Sequence, residues 1–306
     1  MNRKQFVLVI ASFAIVIALI FSSSFLRGSD EDDKVKVVAT FYPLAYMAES
    51  IGGERVIATS LVPFNSELHS WQPAPQDIIR ADDADVILYN GGPADAWLVS
   101  NVLPSIGNDD RLVVNTTVGV TYISGGDNGD GGVDPHTWLS PLRAMAQARN
   151  VFDALCQADP DGIGYFTQRF ATLNQSLSML DQQYGLLAGS SVPGIIVSHS
   201  AFGYVARDYG FEQYGAIGLS ADEDPSGSDL IELADLMEEE GMYFVYVDPV
   251  YNQDYGNILK SDLESRTGHE VMVLDIFLGL GPYHEYDYLG QLSKNLMSFK
   301  AGLGVD

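Results

Sequence analysis

Cysteine is nearly absent. The chain has one, Cys156, so no intramolecular disulfide can form and no Cys-rich zinc module exists. Cys156 lies in an apolar helical pattern, where a buried packing role is the default. Basic residues are scarce as well: 16 Lys and Arg face 41 Asp and Glu, a formal net charge of −25. Such a surface repels a phosphate backbone, which argues against nucleic-acid binding. Its ordinary meaning is solubility, including in a salty medium, with only diffuse attraction for cations. Histidine is rare too, with five in 306 residues. No His-Glu-x-x-His segment occurs, so the compact helical motif of metalloproteases is missing.

No apolar run is an unambiguous membrane span. The N-terminus is basic (Arg3, Lys4), then apolar over residues 6–21, then Ser22-Ser23-Ser24. That order is the pattern of a secretory signal. The run is long for the core of a cleaved signal and short for a full span. A signal or membrane anchor is therefore expected over residues 1–28, with an acidic tether over 29–34 and an exported remainder. No cysteine follows the run, so the lipid attachment common on bacterial surface binding proteins is not expected.

What is present fits a folded protein. The hydrophobic fraction is 46%, and the length allows two domains. β-Branched runs at residues 35–40, 56–62, 85–90 and 112–115 read as strands. Helical stretches alternate with them, beginning at Pro43 and Pro75 and ending near Leu103. Pro141 opens a helix to about Gln157. Asp159-Pro160-Asp161-Gly162 interrupts it, and a longer helix follows over residues 163–187. Strands then resume at 194–198, 244–248 and 271–275, with helices at 202–209, 228–240, 254–267 and 288–299. Alternation of this kind implies parallel strands with crossover helices. The expected fold is α/β, with two lobes, each a mostly parallel sheet flanked by helices, joined by a long spine helix. The lobes span residues 35–158 and 190–306, with the spine at 159–189. No internal repeat aligns convincingly.

Three histidines share a setting. His69 lies in Ser66-Glu67-Leu68-His69-Ser70, His136 in Asp134-Pro135-His136-Thr137-Trp138, and His199 in Val197-Ser198-His199-Ser200. Asp275 closes the run Val271-Met272-Val273-Leu274-Asp275. In open α/β sheets, ligands bind beyond the carboxyl ends of strands. His199 and Asp275 sit at such ends, His69 follows one, and His136 precedes the Pro141 helix. If the fold gathers these four in one cleft, they form a nitrogen-and-oxygen site suited to zinc. Asp134 could orient a ring nitrogen of His136, and Trp71 could wall the site. Taken singly, each histidine reads as a surface or capping residue and Asp275 as a turn residue. His269 reads as structural, and His284 has no assigned role.

These segments together resemble the zinc- and manganese-type substrate-binding proteins of ABC importers, the group that includes the periplasmic zinc-binding component. The likeness runs from Val38-Ala39-Thr40-Phe41-Tyr42-Pro43-Leu44 through His69 and Pro73-Ala74-Pro75-Gln76-Asp77. It continues through Asn90-Gly91, Asp134-Pro135-His136-Thr137-Trp138 and Ser198-His199-Ser200-Ala201-Phe202-Gly203-Tyr204. Asp224-Pro225-Ser226 and Val273-Leu274-Asp275 complete it. The resemblance implies two lobes bridged by a long helix, with the metal held between them by His69, His136, His199 and Asp275. It also implies a monomer that works with a membrane permease and its ATPase. In that family a histidine at the third ligand position marks the zinc branch and an acid the manganese branch. Here it is His199. Two departures stand out. Residues 125–132 carry no histidine, unlike the His-rich loop of the zinc branch, and no proline follows Asp275.

The expected function is capture of Zn²⁺ and its delivery to a permease, without a chemical step. Mn²⁺ or Fe²⁺ capture by the same family is the first alternative, since imidazoles favour zinc over manganese. A zinc metallohydrolase with Glu67 as its base is the second, but four protein ligands leave little room for substrate and water. A metal-free adhesin or signalling module is the third.

Overall fold

The computed structural model describes residues 33–107, 110–123, 132–218, 225–251 and 253–305. The signal or anchor segment lies outside these residues. So do most of the acidic tether, nearly all of the Gly/Asp loop at 124–132, and Asp224. Among the described residues, no helix is long and apolar enough to cross a membrane. Val35–Asp306 forms one compact unit.

That unit holds two four-stranded sheets. The first comprises β1 (Val35–Ala39), β2 (Val56–Ser60), β3 (Val86–Tyr89) and β4 (Leu112–Asn115), in the order β2-β1-β3-β4. The second comprises β5 (Gly194–His199), β6 (Glu212–Ile217), β7 (Phe244–Val247) and β8 (Met272–Asp275), in the order β6-β5-β7-β8. Every strand pairing is parallel. Both sheets thus follow one winding plan, although the sequence shows no alignable repeat. Central strands of parallel sheets are covered on both faces and read as continuous apolar runs; β3 (VILY) and β5 (GIIVSH) do so.

The helices are α1 (Tyr42–Gly52), α2 (Pro75–Asp82), α3 (Pro141–Ala158), α4 (Ile163–Tyr184), α5 (Gly203–Tyr209), α6 (Gly227–Glu240), α7 (Asp254–Thr267) and α8 (Tyr288–Leu303). Sequence punctuation explains their ends. Pro occupies the first turn of α1, α2 and α3, where its missing N–H costs nothing. Ser226 caps α6 through Asp229, and Gly241 ends it in the left-handed region at φ 67°. The long central helix ends as α-helix at Tyr184 and tightens to a 3-10 turn over Gly185–Gly189. Between β3 and β4 the expected helical end is a π-turn, Leu98–Val102, followed by a 3-10 turn, Leu103–Ser105.

Strand β6 escapes a reading of the sequence. It is a half-exposed edge strand, Glu-Gln-Tyr-Gly-Ala-Ile, with no clean alternation. Gly215 in its middle is a packing requirement: a Cβ there would lie 2.5 Å from Ser200 Oγ and 2.7 Å from the Ile217 carbonyl oxygen.

One hydrophobic core serves both lobes. It joins Val37 and Leu44 of the first to Tyr246, Phe299 and Leu303 of the second, through Leu173 and Leu177 of α4. A second, smaller core (Ile196, Val245, Met237, Leu263) lies under α6 and α7. Wide rigid-body opening of the lobes would expose the shared core. Motion is therefore confined to loops and small shifts at the seam.

Candidate metal centre

The three histidines come together from three places in the chain. His199 is the last residue of β5 and only 4% exposed. His136 stands two residues beyond Asp134, just before the 3-10 turn Thr137–Leu139 that leads into α3, and is 2% exposed. His69 lies in the irregular segment after β2 and is partly buried. The Nε2 atoms of His69 and His136 are 3.2 Å apart. The ring centroids are separated by 5.2 Å for His69 and His136 and by 5.6 Å for His136 and His199.

The first distance has chemical meaning. Two nitrogens bound to one tetrahedral zinc at ~2.0–2.1 Å stand about 3.3–3.4 Å apart. The His69–His136 pair is already at that separation. The three rings do not yet form a closed shell: among the described residues, no three His, Cys, Asp or Glu side chains meet as a complete metal-holding group.

Burial sets the protonation of two rings. His69 is held down to about 3 by desolvation, then by the neighbouring His136. His199 is pushed well below its ordinary value by burial, then by His136 and His69. Both are neutral at neutral pH, the form that binds metal.

His136 is the most firmly placed. Asp134 Oδ1 accepts both its backbone N–H and its Nδ1–H at 2.9 Å, as the sequence suggested. This fixes the tautomer and leaves Nε2 without a proton, as the acceptor facing His69 Nε2. The loop is anchored from beneath by Asn90, fully buried at the end of β3. Asn90 Nδ2 donates to the Pro135 carbonyl at 2.8 Å and to the Gly91 carbonyl at 3.2 Å. Its Oδ1 accepts from Gln147 Nε2 at 2.9 Å and Thr137 Oγ1 at 3.0 Å. All four side-chain bonds of the amide are made. Asp95, beneath it, accepts from Asn90 N–H, Gly91 N–H and Thr40 Oγ1 at 2.6, 2.9 and 2.8 Å. None of these supports was identified from the sequence, where isolated Asn, Gln and Asp look like surface residues.

The wall is aromatic. Trp138, fully buried, lies 5.2 Å from the His136 ring and donates its indole N–H to the Leu278 carbonyl at 2.7 Å. Tyr204 of α5 donates to the Asp134 carbonyl at 2.8 Å, joining the His136 loop to the second sheet's side. Trp71 packs edge-on against Trp97 at 4.5 Å.

Asp275 stands apart from the rings. It ends β8 and is exposed, and its carboxylate makes no hydrogen bond or ion pair with them. It lies at the same sheet end as His199, two strands away, which is about 10 Å of backbone separation. Its charge reaches the buried Asp248, which burial chiefly raises to about 6. Asp248 accepts from Val250 N–H and Leu278 N–H at 2.9 Å each, tying together the loops after β7 and β8. Glu67 Oε1 accepts the His69 backbone N–H at 3.0 Å. His269 stacks on Tyr243 at 4.6 Å, the structural place expected of it. His284 sits far along the chain in a left-handed turn, φ 50°.

Two parallel α/β lobes on a long helix, with buried imidazoles gathered beyond the strand ends, define a two-lobed solute-binding protein. Comparison with known proteins agrees. The family described as zinc-uptake complex component A, periplasmic, matches residues 37–302. The chain belongs to this family, and the resemblance seen in the sequence is borne out. It is 29% identical to the high-affinity zinc uptake system protein ZnuA of Bacillus subtilis, over 97% of each chain. It is 27% identical to the zinc-binding lipoprotein AdcA of Streptococcus pneumoniae, over 88% of this chain but only 56% of that one. The solved periplasmic zinc binding protein TroA of Treponema pallidum superposes with a TM-score of 0.79 at 25% identity, covering 88% of this chain and 99% of that one.

Proposed function

We propose that this chain captures one Zn²⁺ between its lobes and delivers it to the permease and ATPase of an ABC importer. The ligands are His69, His136 and His199, with Asp275 as the fourth. The observation that carries this reading is the 3.2 Å approach of two Nε2 atoms, one of them oriented by a buried carboxylate, beside a third buried ring. Three imidazoles and one carboxylate favour zinc over manganese or iron(II). A four-ligand shell leaves no open position for a substrate or reactive water, so the protein binds and releases and is not an enzyme. Asp275 completes the shell when the C-terminal end of β8 that carries it moves inward with the ion. The protein acts outside the cytoplasm as a monomer, held by its N-terminal apolar segment. Residues 35–158 and 190–306 form the two lobes and 159–189 the link.

Titration calorimetry on the chain from residue 29 onward tests this. One Zn²⁺ per chain is expected, with a rise in thermal midpoint by linkage. Zinc binding undiminished in the combined variant His69→Ala, His136→Ala, His199→Ala would refute it.

A further inference from the structure

The segment that carries His69 is held from the opposite lobe. Asn65, four residues before His69, is one of two non-glycine residues with positive φ among the described residues, at 58°. Asn tolerates this region better than most side chains. Its backbone N–H donates to the Leu280 carbonyl at 3.1 Å, and its Nδ2 donates to the Pro282 carbonyl at 3.2 Å. Tyr251 adds a longer bond to the Ser66 carbonyl at 3.4 Å. All three partners belong to the second lobe.

The seat under this turn is flat because it is glycine. A Cβ on Gly281 would lie 2.7 Å from Asn65 Oδ1, 2.7 Å from Phe64 Cβ and 2.9 Å from Asn65 N. No larger residue allows the approach without moving the turn.

The other two rings are rooted differently. His199 belongs to a strand with neighbours on both sides, and His136 sits on the saturated Asn90 network. His69 lies well away from any helix or strand, on the irregular segment between β2 and α2, tied across the seam by a few bonds. Given a shared core that resists wide opening, this seam is where the site yields most easily.

We infer that the Phe64–Asn65 turn, seated on Gly281, is the latch that sets the rate of metal release. Loosening it frees His69 while His136 and His199 stay in place. The inference rests on the metal-capture reading above, and Asn65 acts through His69 as a positioning residue.

Two variants test it from opposite sides. Asn65→Gly keeps positive φ at no steric cost and removes only the bond to Pro282. Gly281→Ala wedges the seat from the second lobe and leaves the His69 segment's sequence untouched. Zinc-loaded protein is mixed with excess chelator in a stopped-flow instrument, and release and association rates are measured separately. Release about five-fold faster in Asn65→Gly is expected, the loss of one hydrogen bond expressed as a rate. Gly281→Ala should accelerate release at least as much, with association little changed in both. A double-mutant cycle separates a latch from general weakening. In a His69→Ala background, Asn65→Gly should add no acceleration, because the ring that the latch governs is gone. Variants that bind zinc yet release it at the wild-type rate overturn the latch alone, as does equal acceleration in both backgrounds. A wild-type protein that binds no zinc overturns the capture reading and the latch with it.

Discussion

The Asp134 carboxylate and the His136 ring meet at 2.9 Å, both nearly buried, and the same oxygen also holds the His136 backbone N–H. One atom therefore fixes both the position and the tautomer of the His136 imidazole. Asp134→Ala should weaken zinc binding ~10–100-fold, the usual effect of removing an outer partner of a ligand. Competition titration against a chelator of known affinity measures this. Affinity within two-fold of wild type would mean that packing alone orients the ring.

Asn90 makes a sharper prediction about stability. Its side chain is fully buried, and its four bonds join β3, the Pro135 loop and α3. Asn90→Ala leaves the Pro135 carbonyl and Gln147 Nε2 without these partners inside the protein, each at a cost of about 1–3 kcal/mol. A loss of about 2–5 kcal/mol is expected in urea unfolding, together with weaker zinc binding. Asn90→Asp should also destabilise, because the lost amide donor leaves the Pro135 carbonyl facing an acceptor.

Much of this architecture was legible in the sequence, and the exceptions have physical causes. Buried parallel strands such as β3 and β5 announce themselves as apolar β-branched runs, and the first turns of three helices are marked by proline. Strand β6 was invisible because an edge strand pairs on one side only and keeps polar residues. The three histidines were legible because imidazoles are few and stand near strand ends. Asn90, Asp95 and Gln147 were not, since only tertiary contacts tell a buried network from a solvated surface. The sequence offers Asp275 as the fourth ligand but lacks the proline that follows it in the family, and in the fold it is exposed at the end of β8, with no hydrogen bond or ion pair to the rings.

Asp95 contributes to the pH dependence of the metal-free fold, with the buried Asp248 acting in the same direction. Burial raises its carboxyl to about 6 despite hydrogen bonds that favour the charge, whereas an unfolded Asp titrates near 3.9. Between these values the folded state holds a proton that the unfolded state has released. Stability from this group is therefore present at low pH and lost as pH rises from about 4 to about 6. His69, held to about 3, gives the opposite slope in an overlapping window, so the raw curve of the wild type does not isolate Asp95. The difference from Asp95→Asn does. The variant should be less stable at every pH, because an amide cannot accept all three donors, and the gap should narrow as pH rises from about 4 to about 6. Denaturant unfolding with chelator present measures it. A gap that stays constant would place the Asp95 carboxyl outside that window.

Net charge predicts a salt response. With 41 acidic and 16 basic side chains, self-repulsion disfavours the compact state. The Debye length shrinks from about 30 Å at 0.01 M to about 3 Å at 1 M salt. The thermal midpoint of the metal-free protein should rise by several degrees across that range in sodium chloride. A flat or falling curve in calorimetry would show that the ion pairs Arg143–Asp208 and Arg55–Asp159 outweigh the general repulsion.

Metal preference should turn on His199. It is buried at the end of β5, with the His136 ring 5.6 Å away and no carboxylate bonded to it. Replacing this nitrogen donor with an oxygen donor moves the site toward the harder ligand set that suits manganese. His199→Asp should lower zinc affinity by at least ten-fold and shrink the zinc-over-manganese ratio further. It introduces a carboxylate at a buried position, which costs stability without metal and is partly recovered on binding. The thermal shift produced by metal should therefore be larger in His199→Asp than in His199→Ala for manganese, and smaller than in the wild type for zinc. Paired titrations with the two ions, each run against the same competing chelator, give both ratios. An unchanged ratio would mean that selectivity resides in the His69–His136 pair rather than in the third ring.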